Sequence, residues 1–159
     1  MLSRVSGAPV AHSCGVGFRT LEEVKAYRAA RAFKLEVYRL VKSRPAAEGD
    51  HRFRSQLFEA AASVEVNIAE GFRRYGAGDF SHFLRISRSS LEEATCRLQD
   101  GIDRGYFTNA DCQQALELAD EAGRLIVGLI LSLRKFRSTS RSPLTGPPVR
   151  HNQSDGDDP

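Results

Sequence analysis

The chain has no tryptophan, one methionine and three cysteines in 159 residues. Cys14, Cys96 and Cys112 are odd in number and have no CxxC spacing. That fits a reduced, cytoplasmic protein better than a disulfide framework. No apolar run reaches the roughly 18 residues that span a membrane. The N-terminus lacks a sustained apolar segment, so no signal peptide is expected. An excess of one charge is also missing. Lys plus Arg number 23 against 20 Asp plus Glu, a net of +3. Such a balance permits nucleic-acid binding without arguing for it.

Catalytic signatures are absent as well. Of the four histidines, His12 and His151 fall near the chain ends, and His51 and His82 stand alone. Glu48-x-x-His51 is the single Glu-x-x-His spacing in the chain, and a carboxylate-bridged di-metal site, which takes two, is not supported. His82, beside Phe83, reads as a boundary residue. Cys96 and Cys112 have no neighbouring His to activate them, and both are expected to be small core hydrophobes. No Ser-His-Asp signature occurs, and Gly71, Gly76 and Gly78 read as helix punctuation rather than a phosphate loop. The expectation is a non-enzymatic protein with no cofactor.

What is present is helical periodicity. Apolar residues make up 41% of the chain. Residues 1–19 are rich in Gly, Ser, Ala and Val without a helical period and read as a flexible arm. Residues 138–159 hold four of the six prolines and end in Asp155, Asp157 and Asp158, a disordered tail by composition. The segment 20–137 keeps one proline, Pro45, read as marking a helix end. The ends contribute +2 and −1, leaving this core near +2.

Four helices are expected in the core. The first runs from about Leu21 to Ser43, with Thr20 as N-cap and Val24, Tyr27, Phe33, Val37, Leu40 and Val41 inward. The second spans about Arg52 to Arg74 with Phe53, Leu57, Ala60, Ala61, Val64 and Ile68 inward. The third starts at Asp79, after Gly76 and Gly78. Its inner positions are Phe80, Phe83, Leu84, Ser87, Leu91, Ala94, Leu98 and Ile102, and Gly105 ends it. Thr108 and Asp111 form a capping box with Asp in place of Glu. A fourth helix follows to about Phe136, with Ala115, Ala119, Ala122, Ile126, Leu129, Ile130 and Leu133 inward. Long helices on short loops pack antiparallel. The fold class is therefore all-α, an antiparallel up-down four-helix bundle in a single domain. The wide inner stripes leave apolar area for an oligomer contact; a tight monomer is the alternative.

The most unusual segment runs from Ser63 to Phe72. Helical spacing puts Ser63, Asn67 and Glu70 on one face. Burying an amide and a carboxylate costs several kcal/mol unless both are hydrogen-bonded. Arg85, Arg88, Ser89 and Ser90 on the third helix are candidate partners, with Glu70 paired to one of these donors. A register-setting network is one reading; a ligand or RNA contact, or a solvated face, are the others. In the network reading Glu70→Ala costs about 1–3 kcal/mol.

The same segment carries a resemblance. Asn67-Ile68-Ala69-Glu70-Gly71 resembles the motif of bacterial four-helix-bundle proteins encoded within 23S ribosomal-RNA intervening sequences. Leu21 to Pro45 is similar to that family's opening helix, with Tyr27 where the family usually has Trp. Ser55-Gln56-Leu57 with Ala60-Ala61, Phe83-Leu84, Ser90-Leu91-Glu92 and Gly105-Tyr106 follow in order. The likeness covers about residues 18–137. It implies a homo-oligomer, most simply a pentamer. It also implies kinship with accessory proteins of diversity-generating retroelements, which bind a reverse transcriptase and its RNA through a basic surface. One departure weakens that surface. Phe58, Glu59 and Glu65 stand where the family commonly has two basic residues and a proline, so an exposed Phe58 would need a cover.

The remaining cations are Arg73, Arg74, Arg85, Arg88 and Arg97, with Arg134, Lys135 and Arg137 closing the last helix. They are either solvated charge that suits helix C-termini or phosphate contacts repeated around an oligomer. The leading expectation is an oligomeric, RNA-binding protein whose contacts are Arg73, Arg74, Arg85 and Arg88, brought together at the turn after the second helix. The alternative is a protein-interaction scaffold, such as an accessory subunit of a reverse transcriptase.

Overall fold

The computed structural model describes residues 17–74 and 76–139. Most of the expected N-terminal arm and nearly all of the tail, with Cys14, His12 and His151, lie outside the described residues. A 3-10 turn, Leu21–Glu23, precedes five helices: α1 (Lys25–Lys42), α2 (Pro45–Gly49), α3 (His51–Arg73), α4 (Ala77–Asp103) and α5 (Asn109–Thr139). No β-strand occurs among the described residues. Each long helix packs on two others, α1 on α3 and α5, and α4 on the same two.

The helix boundaries follow from local chemistry. Asp50 caps α3, its Oδ1 accepting the Phe53 N–H at 3.0 Å. The expected capping box closes at α5: the Thr108 N–H donates to Asp111 at 2.8 Å, and the Asp111 N–H donates to the Thr108 hydroxyl at 3.2 Å. Gly105 sits at φ +75°, and the Tyr106 N–H reaches back to the Gly101 carbonyl at 2.9 Å. That is a Schellman stop, which only glycine enters without steric cost.

Three boundaries differ from expectation. Thr20 makes no side-chain cap, because the chain first forms the 3-10 turn and extends at Val24 before α1 begins. Pro45 opens the short α2 instead of closing α1; at a first helical position its missing N–H costs nothing. Gly78 lies inside α4, which starts at Ala77. A Cβ there would stand 3.5 Å from the Arg137 guanidinium at the end of α5.

Most of the expected stripe positions form the core, while Tyr27, Phe83, Ile102, Leu129 and Ile130 are only half-buried. Phe33, Leu40, Leu57, Ile68, Phe80, Leu84, Leu98, Ile126 and Leu133 are fully buried, each worth about 1.5–3 kcal/mol of transfer free energy. Buried alanines on α1, α3, α4 and α5 let the axes approach. At one end of the molecule the rings of Phe53 and Phe107 close over Gly101, and Tyr106 packs edge-on against Phe53 at 5.1 Å. The Tyr106 hydroxyl donates to Asp50 Oδ2 at 2.9 Å. That bond ties the α4–α5 turn to the start of α3.

The two described cysteines part company. Cys112 is buried as expected, and burial pushes its thiol up to about 11. Cys96 is exposed, because it lies two residues from both Ala94 and Leu98, about 200° around the helix from the Leu91, Ala94, Leu98 stripe. In a Cys14→Ser variant, a maleimide should label Cys96 in the native state and leave Cys112 unreacted until denaturant is added. Equal native labelling of both, read by peptide mass mapping, would contradict this packing.

Candidate nucleic-acid interface

The Ser63–Phe72 segment lies on α3 where it meets α4. The Ser63 and Ser90 hydroxyls are 3.0 Å apart, and Asn67 Nδ2 donates to the Ser63 hydroxyl at 2.9 Å and to its carbonyl at 2.8 Å. Fully buried Ser87 donates from α4 to the Val64 carbonyl at 2.7 Å. α4 lies close against Gly71: a Cβ there would stand 2.7 Å from Phe83 Cβ and 2.8 Å from the Phe80 ring. Serines, the amide and the glycine thus form a helix–helix joint.

Glu70 does not join it. Its carboxylate accepts from Arg74 on its own helix, at 3.0 and 2.6 Å, and no donor from α4 reaches it. The pair is solvent-exposed. Such i,i+4 pairs contribute well under about 1 kcal/mol, so Glu70→Ala does not carry the cost expected of a network member.

The buried carboxylates lie elsewhere. Glu65 is 7% exposed and takes Lys34 and Arg31 from α1 as ion-pair partners, with the Tyr27 hydroxyl on the same group. Burial raises the Glu65 pKa, but the hydrogen bonds from Lys34 and Tyr27 and the charges of Lys34 and Arg31 outweigh it and hold the carboxyl below its usual value. Glu36 is equally buried and is held by Arg39 Nε at 2.8 Å. The signal for Glu65 was its position: it follows Ala61 by four and precedes Ile68 by three, on the edge of the inner stripe. Phe58 is half-buried and already covered, its ring centroid 4.4 Å from that of Tyr38 on α1.

The four candidate arginines are all exposed, but they form two pairs and not one cluster. Arg73 and Arg74 share a depression with Glu70, Gly76 and Asp79. Arg74 also lies over the Phe83 ring at 5.5 Å. Arg85 and Arg88 line a different depression, with Ser89, Glu92, Ile130 and Leu131 between α4 and α5. Arg88 bonds Glu92 at 3.0 Å. Among the described residues, Arg73 and Arg85 have no carboxylate partner. Arg137 joins Arg73 and Arg74 at the end of the molecule where α4 begins, its guanidinium lying beside Gly78.

A larger charge feature was hidden by averaging. α1 holds Lys25, Arg28, Arg31, Lys34, Arg39 and Lys42 against one acid, Glu36. It carries +5 where the whole chain carries +3, so everything else sums to −2.

No group of three or more metal-ligating side chains occurs among the described residues. No described helix is long and apolar enough to cross a membrane. The molecule is thus an all-helical protein whose most distinctive segment is a polar joint between two helices. Residues 22–128 match the family model of the 23S rRNA-intervening sequence protein, and the chain belongs to that family. No curated protein shows significant similarity to the chain.

Proposed function

We propose that this protein is a non-enzymatic RNA-binding member of its family. Its four long helices act as an antiparallel up-down bundle that works in the cytoplasm as a homo-oligomer, most simply a pentamer. The reading is supported by uncompensated charge: Arg73 and Arg85 are exposed without carboxylate partners among the described residues, with Arg74 and Arg88 beside them. In this reading the four contact phosphates, and repetition around a ring multiplies a modest field. Phosphate contacts carry no base preference, so affinity is tolerant of sequence and falls steeply with salt. Replacing Arg73, Arg74, Arg85 and Arg88 with Ala should abolish RNA retention in a filter-binding titration at low salt while leaving the circular dichroism spectrum unchanged. A wild type that retains no RNA, or a quadruple variant that binds as well, defeats this reading. Light scattering that gives a monomer defeats the oligomer.

A protein-interaction scaffold, for instance an accessory subunit of a reverse transcriptase, is the second reading. One observation favours it: an open apolar groove between α4 and α5, floored by Leu91, Leu116, Ala119, Gly123, Val127 and Leu131.

A further inference from the structure

The charge of α1 is not spread around the helix. Arg28, Arg31, Leu35, Arg39 and Lys42 recur at three and four and are all exposed, so they form one stripe along the outer face. No acid interrupts it. The only acid on α1, Glu36, is turned inward and held by Arg39, and Glu65 of α3 takes Lys34 and Arg31 from the side. The stripe lies on a helix about 27 Å long at 1.5 Å per residue. Leu35, half-exposed, is its one large apolar residue.

We infer that the outer face of α1 is a docking track for an RNA backbone, with Arg28, Arg31, Arg39 and Lys42 placed along it as phosphate contacts. This rests on the RNA reading and adds a surface distinct from the Arg73, Arg74, Arg85, Arg88 set. The composition of the face selects the partner. A stable contact with another protein needs an apolar centre depleted of charge. This face is the reverse, cationic along its length with a single leucine. A polyanion needs cations on an accessible ridge and no apolar core. Arg31 and Arg39 are additionally steadied by the buried carboxylates they touch, which lowers the entropy lost on contact.

The test uses the full chain and a fluorescent single-stranded oligouridylate, followed by anisotropy across a salt series. Arg39 is left in place as the ion-pair partner of buried Glu36, and Lys34 as the shorter contact of buried Glu65; when Arg31 is replaced, Glu65 keeps Lys34 and the Tyr27 hydroxyl. In the variant Arg28→Gln, Arg31→Gln, Lys42→Gln, affinity at low salt should fall at least about tenfold. The slope of log K against log salt should flatten by about 2, from three lost contacts on a single strand. Leu35→Lys, at an exposed position, adds a cation to the centre of the track and should tighten binding, an effect that loss of folding cannot imitate. If the α1 triple variant binds like wild type while the Arg73, Arg74, Arg85, Arg88 variant loses RNA, the α1 track is wrong and the RNA reading stands. If wild type does not bind the oligouridylate, both are wrong. A triple variant that keeps RNA affinity but dissociates in light scattering assigns the face to another copy of the chain and overturns the inference.

Discussion

Lys34→Met should destabilise the protein by about 2 kcal/mol, read as a drop in the urea midpoint at neutral pH. Lys34 and Glu65 are largely shielded, with side-chain exposures of 18% and 9%. Removing the lysine leaves a buried carboxylate with only the longer 3.4 Å contact to Arg31 and the Tyr27 hydroxyl. Adding Glu65→Leu should recover most of the loss, because a buried pair replaced by packed apolar groups is often neutral. The pH dependence has a fixed sign. The Glu65 pKa is lower in the folded protein than its ordinary value of 4.5. Its ionised form therefore stabilises the fold fully above that ordinary value, and the contribution is lost as pH falls through the folded pKa. In Lys34→Met this acid-linked loss should shrink. A single variant with the wild-type midpoint would show that Glu65 is not held as described.

Gly101→Ala should lower stability by about 2 kcal/mol, although alanine is the better helix former by up to about 1 kcal/mol. The new methyl would lie 2.6 Å from Phe107 and 2.8 Å from Phe53. Those rings are locked against each other and against Tyr106, so neither can swing aside cheaply. Gly128→Ala is the paired control. It too is a helix-interior glycine, but nothing stands within 4 Å of its Cβ. There the propensity gain is unopposed, and the melting temperature should rise. Thermal scans that move both variants in the same direction would refute the steric account.

Much of the fold could be read from spacing alone. The stripes on α1, α3, α4 and α5 follow the 3.6-residue period, and buried positions such as Phe33, Leu57, Leu84 and Ile126 fall on them. The Thr108–Asp111 box and the stop at Gly105 are local codes that depend on neighbours within a few residues. The candidate site was less legible, because pairings across helices depend on rotation and register. Of the four candidate partners on α4, Ser90 is the one that lies against Ser63. Glu70 and Glu65 sit five residues apart, about 140° around the helix, and only packing decides which of them meets α1. Phe58 looked unpartnered for the same reason; Tyr38 covers it from another helix. The α1 charge was visible in the sequence but was averaged away in a core total near +2.

The short link between α3 and α4 has a kinetic consequence. Only residues 74–76 separate these helices, which share the most extensive interhelical contact in the molecule. Closing so small a loop costs little chain entropy, whereas bringing α1 onto α5 must bridge 66 intervening residues. Local contacts reward the chain early. The α3–α4 hairpin is therefore the expected folding nucleus, and the Ser63, Asn67, Gly71 joint lies within it. Substitutions at the joint should slow refolding, while those on the α1–α5 seam should chiefly speed unfolding. The segment from Ser63 to Phe72 would then mark where the chain first recognises itself.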